Sequence, residues 1–224
     1  MTRGWTGIRI SGKRSGCCWG TRWNGSSSRK ATQAMRIIAG IAKGRILKAP
    51  PGSGTRPMTG RAREAVFSSI AAALPGADVL DLYAGTGSLG LEALSRGAAT
   101  AVFVERDRAA LRALRANVGA LGLGGEVVAR SVDGYLASAT ADHPSGPSVR
   151  FTLVFVDPPY ELPITGVEQQ LAAAARLLGH RGSLVLHRRL GERRPEAPGL
   201  RLVRTRTYGT ARIWRYEKIR PGSG

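Results

Sequence analysis

A glycine-rich turn occupies residues 81–90, whose sequence is DLYAGTGSLG. Its glycines have the spacing G-x-G-x-x-G from Gly85 onward, which lets the backbone approach a ligand closely where a helix begins. Residues 78–83, which overlap the start of the turn, are predicted to form a strand, and residues 88–96 have the pattern of a helix. A strand, a glycine loop and a helix in this order indicate a ligand site at the carboxyl end of a parallel sheet.

Strand-like and helix-like segments alternate along the chain on both sides of this turn. Repeated β-α units with buried strands imply an α/β fold, a mostly parallel sheet with helices on both faces. Residues 151–156, FTLVFV, are the unbroken apolar run expected of a central strand. Residues 131–150 are predicted to be irregular. The other predicted elements are a short β-hairpin over 36–49, helices over 59–74, 88–96, 107–121 and 167–178, and strands over 78–83, 100–105, 126–130, 151–156, 183–188, 200–207 and 211–217.

The composition is that of a globular protein with its own apolar core. The chain has 224 residues, of which 42% are hydrophobic, and a chain of this length buries roughly 70% of its unfolded surface without needing disulfides or metal. Its two cysteines, Cys17 and Cys18, are adjacent, which excludes a disulfide framework and argues against a zinc site. A reducing, cytoplasmic location is expected. No apolar run approaches the ~18 residues of a membrane span.

Positive charge is the dominant compositional feature. The chain has 34 Lys and Arg against 15 Asp and Glu, a net charge of +19, which favours a nucleic acid over an anionic membrane as partner. Seven of these basic residues lie in residues 1–34, which contain no acid; subtracting them from +19 leaves +12 for the rest. Residues 1–34 are predicted to be a disordered extension, with a transit peptide or an RNA-binding arm as alternatives. A domain over 35–217 and a flexible tail over 218–224 follow.

Two carboxylates near the glycine loop bear on the identity of the ligand. Glu105 lies 20 residues after Gly85, at the end of the next predicted strand, where a carboxylate can accept hydrogen bonds from both hydroxyls of a ribose. This position suits NAD and S-adenosylmethionine alike. Asp81, just before the loop, would repel a pyrophosphate but suits a ligand with a cationic amino-acid end. The pattern favours S-adenosylmethionine; a plain glycine turn and a solvated Glu105 are the alternative.

The motif Asp157-Pro158-Pro159-Tyr160 follows the apolar strand over 151–156. Because two successive prolines fix φ near roughly −65°, the Asp157 carboxylate and the Pro158 carbonyl can be held as paired acceptors. An exocyclic amine on a planar base is a poor nucleophile, since its lone pair is delocalised into the ring. Two acceptors on its N–H groups can direct that lone pair toward an electrophile, while Tyr160 stacks on the base. The motif predicts amino methylation of a planar base; a rigid turn capped by Asp157 is the alternative.

Several segments together resemble one protein family. They are the glycine loop, the Asp-Pro-Pro-Tyr motif, MRIIAG at 35–40 with Gly44 and Arg45, TRPMTGRARE at 55–64, LGLEALSRGA at 89–98 and Tyr208-Gly209. In this order they are similar to the bacterial 16S ribosomal RNA guanine-N2 methyltransferases of the RsmD type, over about residues 35–217. The sequence departs from that family at Met58 and Gly60, where its members have Thr and Asp.

The resemblance implies a class I methyltransferase fold, Rossmann-like, with a seven-stranded sheet whose last strand is antiparallel. It implies S-adenosylmethionine as cofactor, no metal, and methylation of a guanine N2 in 16S rRNA by a monomer acting during small-subunit assembly. The catalytic residues would be Asp157, Pro158, Pro159 and Tyr160. The cofactor-binding residues would be Asp81, Tyr83, Ala84, Gly85, Thr86, Gly87, Glu105, Arg106, Thr59 and Arg61, with Ser131 or Asp133 at the adenine edge. The RNA-binding residues would be Arg45, Arg56 and Arg63.

Other interpretations remain open from the sequence. Arg56, Arg61 and Arg63 could be solvated charges on a loop and a helix face. The three histidines, His143, His180 and His187, have no spacing that indicates ligation or a catalytic dyad, so they are interpreted as structural. Competing functions are methylation of DNA adenine N6 or of a protein amide, a non-catalytic rRNA-binding assembly factor, and a nicotinamide dehydrogenase.

Overall fold

The computed structural model describes residues 34–50, 58–141 and 151–219. Some predictions therefore fall outside the described residues or at their margin. They are those for the extension over 1–34, for most of the tail over 218–224, for Arg56 and for His143. The described helices are α1 (Gly60–Ser69), α2 (Ser88–Ser95), α3 (Arg108–Leu121), α4 (Val132–Ala141) and α5 (Ile164–Leu177). The strands are β1 (Asp78–Leu82), β2 (Thr100–Glu105), β3 (Glu126–Ala129), β4 (Phe151–Val156), β5 (Leu178–Arg189), β6 (Leu200–Tyr208) and β7 (Ala211–Lys218).

The seven strands form one sheet in the order β3-β2-β1-β4-β5-β7-β6. β1 pairs in parallel with β2 and β4, β2 with β3, and β4 with β5, whereas β7 is antiparallel to both β5 and β6. The predicted mostly parallel sheet with an antiparallel last strand is confirmed. The strand order reverses between β1 and β4, which opens a crevice at their carboxyl ends, where ligands bind in sheets of this type.

Apolar residues cover the sheet on both faces. One cluster contains Phe67 of α1, Leu91 of α2 and Leu114 of α3, and the other contains Leu136 of α4 and Leu171 of α5. Because side chains alternate along a strand, β4 contributes to both clusters, which confirms that it is a central strand. The predicted helices on both faces are present.

The predicted β-hairpin before α1 is reduced to a single antiparallel bridge between Arg36 and Ile46. Side chains from distant helices hold this segment in place. The fully buried Glu92 carboxylate of α2 accepts hydrogen bonds from the backbone N–H groups of Ile38 and Ala39, at 2.6 and 2.9 Å. The Asn117 amide of α3 exchanges two hydrogen bonds with the backbone of residue 48. The hairpin is thus anchored to the helices that flank the glycine loop.

The prediction of an irregular segment over 131–150 is wrong for its first part, because α4 forms there. Its start is capped by the Ser131 hydroxyl, which accepts a hydrogen bond from the backbone N–H of Gly134. Val132 and Leu136, one helical turn apart, are buried against the sheet, so tertiary packing stabilises a helix whose own apolar pattern is weak. Residues 142–150 lie outside the described part of the chain.

Other element ends differ from prediction by a few residues. The predicted helix over 59–74 ends at Ser69, and a short 3₁₀ turn follows over Ala71–Ala73. β5 begins at Leu178 rather than at residue 183, and its pairing with β4 shifts register between Phe151 and Leu153.

Candidate active site

The predicted acidic residues meet at the crevice between β1 and β4. Asp81 lies in β1, Glu105 ends β2 and Asp157 follows β4. Burial raises the pKa of Asp81, and the negative charges of Asp157 and Glu105 also raise it. A hydrogen bond from the Gly90 N–H lowers it, and the net result is a pKa of about 7. This concentration of negative charge in a basic protein suits a cationic ligand.

The glycine loop is shaped by packing on one side and open on the other. At Gly87, φ is +80°, and a Cβ would lie 2.5 Å from a methyl carbon of Leu114, so only glycine fits against α3. At Gly85, φ is +55°, yet the nearest atom to an added Cβ is the Tyr83 carbonyl oxygen at 3.9 Å. The open side of the loop is therefore the side on which a ligand can approach the backbone.

The Glu105 carboxylate connects the glycine loop to the start of α3. One oxygen accepts from the Gly85 N–H at 2.8 Å, and the other accepts from the N–H groups of Arg106 and Asp107 at 2.7 and 2.8 Å. A carboxylate has about four acceptor positions, so one position, on the oxygen bonded to Gly85, is left for a ligand hydroxyl. The structure places Glu105 beside the loop, as the sequence predicts.

A buried glutamine links two further predicted cofactor residues. Gln170 of α5 is 3% exposed; its amide exchanges hydrogen bonds with the Tyr83 hydroxyl at 2.7 and 2.9 Å and donates to an Asp133 oxygen at 2.7 Å. Tyr83 has φ of +62°, an uncommon conformation for a residue other than glycine. Ser131 is occupied in capping α4. Sequence reasoning missed Gln170, because nothing in a helix pattern distinguishes a buried amide that links the glycine loop to the first turn of another helix.

A histidine contacts the predicted catalytic carboxylate. His187 Nδ1 lies 2.7 Å from Asp157 Oδ1, and the His187 side chain is 4% exposed. Its Nε2 atom has no hydrogen-bond partner among the described residues. His187 is interpreted as structural from the sequence, which gives no sign of this contact with Asp157. The contact depends on the pairing of β5 with β4, which cannot be read from a single strand pattern.

A buried arginine holds the backbone of the Asp-Pro-Pro-Tyr turn. Arg188, 2% exposed, donates to the carbonyl oxygens of Pro159, Tyr160 and Leu162 at 2.6, 3.3 and 2.9 Å. Its Nε atom pairs with Glu192 at 2.8 Å. Because a guanidinium has five donors in a fixed plane, these contacts fix the path of the turn.

The aromatic ring of the turn is partly buried among charged groups. The guanidinium carbons of Arg189 and Arg188 lie 5.0 and 5.9 Å from the Tyr160 ring centroid, and the His187 ring lies 6.2 Å away. Burial raises the pKa of Tyr160, and the charge of Asp157 raises it further. Pro158 is buried and Pro159 exposed. The four predicted catalytic residues thus form one continuous turn beside Asp81 and Glu105.

The residues predicted to contact RNA are not equivalent. Arg45 is exposed, although its guanidinium donates to the Ala120 carbonyl at 2.8 Å. Arg63 is 3% exposed and donates to the Arg36 carbonyl, because this face of α1 packs under the anchored hairpin. The prediction that Arg63 contacts RNA is therefore wrong.

The two predicted cofactor residues on α1 lie at its amino end. The Thr59 hydroxyl accepts from the Ala62 N–H and caps the helix, and Arg61 is exposed in the first turn. The carbonyl oxygen of Thr86 accepts a hydrogen bond from the Asn117 amide, and Ala84 is buried.

Over the described ranges, no group of three or more metal-ligating side chains could hold an ion. No described helix is both long and apolar enough to cross a membrane.

Comparison with known proteins identifies the family. The family model described as "Conserved hypothetical protein 95" matches residues 35–217. The chain belongs to this family of RsmD-like methyltransferases. A relative in Bacillus subtilis, "Putative rRNA methyltransferase YlbH", is 36% identical over 192 residues, which cover 82% of this chain and 99% of the relative.

Two further relatives come from Escherichia coli. "Ribosomal RNA small subunit methyltransferase D" is 42% identical over 127 residues, 56% of this chain and 60% of that protein. The solved structure described as "Putative methyltransferase yhhF" superimposes with a TM-score of 0.71 at 32% identity, covering 83% of this chain and 98% of the other. The predicted family and the class I methyltransferase fold are confirmed.

Proposed function

We propose that this RsmD-like methyltransferase transfers a methyl group from S-adenosylmethionine to the exocyclic N2 of a guanine in 16S ribosomal RNA, as part of small-subunit maturation. Relatives named as ribosomal RNA methyltransferases support the substrate class. The observation that carries the proposal is the Asp157 carboxylate, held by His187 at 2.7 Å and placed next to the glycine loop.

The residues around the glycine loop fit S-adenosylmethionine, which carries a sulfonium and an ammonium group. Three carboxylates converge there, and the raised pKa of Asp81 reflects burial together with repulsion from the other two. A cation relieves both the repulsion and the cost of ionising a buried acid. The bound cofactor supplies an electrophilic methyl group.

Each carboxylate has a separate role in this proposal. The free acceptor position of Glu105 receives a ribose hydroxyl, while Asp81 attracts the cationic amino-acid end. Asp157 accepts a hydrogen bond from the exocyclic amine of the base, and this bond strengthens as the nitrogen becomes positively charged during methyl transfer. Interactions of that kind lower the barrier, because they are stronger in the transition state than in the ground state.

His187 and Arg188 position the groups that hold the base. In this proposal, His187 donates from Nδ1 to Asp157 Oδ1, 2.7 Å away, which leaves Oδ2 for the substrate amine. Arg188 fixes the carbonyl groups of the turn, and Tyr160 stacks on the base. The proton leaves the nitrogen once it is positively charged and acidic, so the site needs no strong base.

A labelling experiment tests the proposed reaction. The full chain is incubated with tritiated S-adenosylmethionine and either in vitro transcribed 16S rRNA or small-subunit particles, and the RNA is digested to nucleosides. We expect the label in N2-methylguanosine for the wild type and its loss in Asp157→Asn. Label in N6-methyladenosine of a DNA substrate would replace the proposal with the rival function. Tight cofactor binding without transfer to any of these substrates would contradict it.

A further inference from the structure

β6, at one edge of the sheet, carries an uncompensated positive charge. It contains three exposed arginines, Arg201, Arg204 and Arg206, and no acidic residue. Arg201 lies 3.4 Å from Glu217, whereas Arg204 and Arg206 form no ion pair or hydrogen bond with any residue that the structure describes. The opposite edge strand, β3, contains Glu126 and no basic residue.

The strand register connects this edge to the active site. His187 of β5 pairs with Ile213 of β7, which pairs with Arg206 of β6, and the next row joins Val185, Arg215 and Arg204. Residues in one row share a face of the sheet, so Arg206 lies on the same face as the histidine that contacts Asp157. Two strand spacings separate the backbones of His187 and Arg206, about 10 Å.

Within the central and carboxyl-terminal part of β6, the arginines lie on this face. Arg204 and Arg206 line a shallow depression between β6 and α1, together with Ser69, Tyr208 and Arg215. Arg215 is fixed there by the Ser69 carbonyl and by Glu217. Positions 205 and 207, which point to the opposite face, are threonines. Charged residues that only prevent another strand from pairing with the sheet edge could lie on either face of the sheet. These arginines lie on the face of the active site.

We infer that the β6 edge, defined by Arg204, Arg206 and Arg215, binds phosphates of the RNA strand next to the methylated base. This inference rests on the proposed function and names a docking surface for its substrate. Guanidinium groups bind phosphates in bidentate fashion, and the two unpaired arginines need not break an ion pair to do so. Arg63 was predicted to contact RNA but is buried, and this surface would supply RNA contacts instead.

Direct RNA binding tests this surface independently of catalysis. The full-length variant Arg204→Gln/Arg206→Gln is titrated with a fluorescent 16S rRNA fragment at several salt concentrations. We expect the Kd for RNA to rise about tenfold and the salt slope to fall by about 2, one per lost phosphate contact. Affinity for S-adenosylmethionine should stay unchanged, which also shows that the variant folds.

Two further variants make the result specific. Arg112→Gln/Arg115→Gln removes the same charge from exposed positions on α3 and should leave RNA affinity within about twofold of wild type, since long-range charge is screened beyond about 8 Å. Arg204→Lys/Arg206→Lys should restore the salt slope. An unchanged Kd in the Gln pair, an equal loss in the α3 pair, or a Lys pair as weak as the Gln pair would each overturn the inference.

The methylation assay separates this inference from the proposed function. If the wild type methylates RNA and the Gln pair binds RNA like wild type, the β6 surface is wrong and the proposed reaction stands. If the Gln pair loses RNA affinity as expected but the wild type transfers no methyl group to RNA, the surface stands and the proposed reaction fails.

Discussion

The two halves of the active site are built differently. In the cofactor half, backbone N–H groups of the glycine loop bond to carboxylates on β1 and β2, as between Gly85 and Glu105 at 2.8 Å. In the base half, the turn after β4 is held by side chains of β5, His187 and Arg188, about 30 residues further along the chain. A cofactor loop can therefore be specified by a short motif, whereas a base-holding turn depends on which strand pairs beside it.

Removal of the catalytic carboxylate should have the largest effect. Asp157→Ala should slow single-turnover methylation by about 10²–10³-fold, the usual loss for one preorganised group that stabilises a transition state. Affinities for cofactor and RNA should stay within a few fold, because the interaction belongs mainly to the transition state. A quenched time course with enzyme in excess measures the rate, and Glu161→Ala, an exposed acid on the same loop, is the control. A near wild-type rate in Asp157→Ala would reduce the turn to a structural feature.

Loss of the histidine from β5 should weaken the base half alone. A hydrogen bond to a charged group contributes about 1.5–3 kcal/mol, so His187→Ala should lower the methylation rate by about 10–100-fold with little change in cofactor affinity. His187→Asn, which retains a donor, should recover part of the rate. If both variants unfold or lose cofactor binding to the same extent, His187 is a core residue and not a positioning residue.

The matching change in the cofactor half is Glu105→Ala. It should weaken S-adenosylmethionine binding by about 1.5–3 kcal/mol, as measured by titration calorimetry, while RNA affinity hardly changes. Glu126→Ala, an exposed acid on β3, controls for the loss of a negative charge. A collapse of RNA binding with intact cofactor affinity would show that the end of β2 has been assigned the wrong role.

The protonation of Asp81 is expected to make cofactor binding depend on pH. Its pKa of about 7 exceeds its ordinary value of 3.8, so its contribution to stability is full below about pH 4 and is lost as the pH rises through 7. The cationic cofactor binds the ionised form, so its affinity should fall about tenfold per unit as the pH drops below 7. Calorimetry between pH 5 and 8 measures this, and Asp81→Asn should give a flat profile. A flat profile in the wild type would contradict it.

Removal of the basic extension should have the smallest effect, because residues 1–34 lack apolar periodicity and contain no acid. A chain shortened to begin at Met35 should unfold at the same temperature and bind S-adenosylmethionine with the same affinity. Thermal unfolding and calorimetry provide the comparison. Loss of cooperative unfolding would show that residues 1–34 contribute to the core, in contrast to their lack of apolar periodicity.

The sheet was predictable because its strands are buried. The apolar run of β4 and the alternation of strands and helices gave most element positions within a few residues, since burial on both faces demands apolar residues. α4 was missed because only two of its residues, Val132 and Leu136, are buried. Periodicity cannot detect a helix that depends on so few contacts.

The cofactor half of the site was predictable and much of the base half was not. The glycine loop, Asp81 and Glu105 are close together along a β-α-β unit, so spacing alone placed them. Arg63 looked like an exposed charge, although it is buried and donates to the carbonyl of Arg36, 27 residues upstream. His187 and Gln170 act through partners that only the folded sheet brings near. Local spacing carries no information on such pairs.

The position of β7 has a consequence for the order in which the protein becomes active during synthesis. β7 is the last strand along the described chain, yet it lies between β5 and β6. In a nascent chain that has not yet extended past residue 218, β5 lacks its neighbour β7. The pairing of His187 with Ile213 therefore cannot form. During synthesis, the glycine loop and its helices can fold early. The turn after β4 can be completed only after β7 has left the ribosome and paired between β5 and β6. We therefore expect the newly made chain to acquire its fold in two stages, with the turn proposed to hold the base completed second.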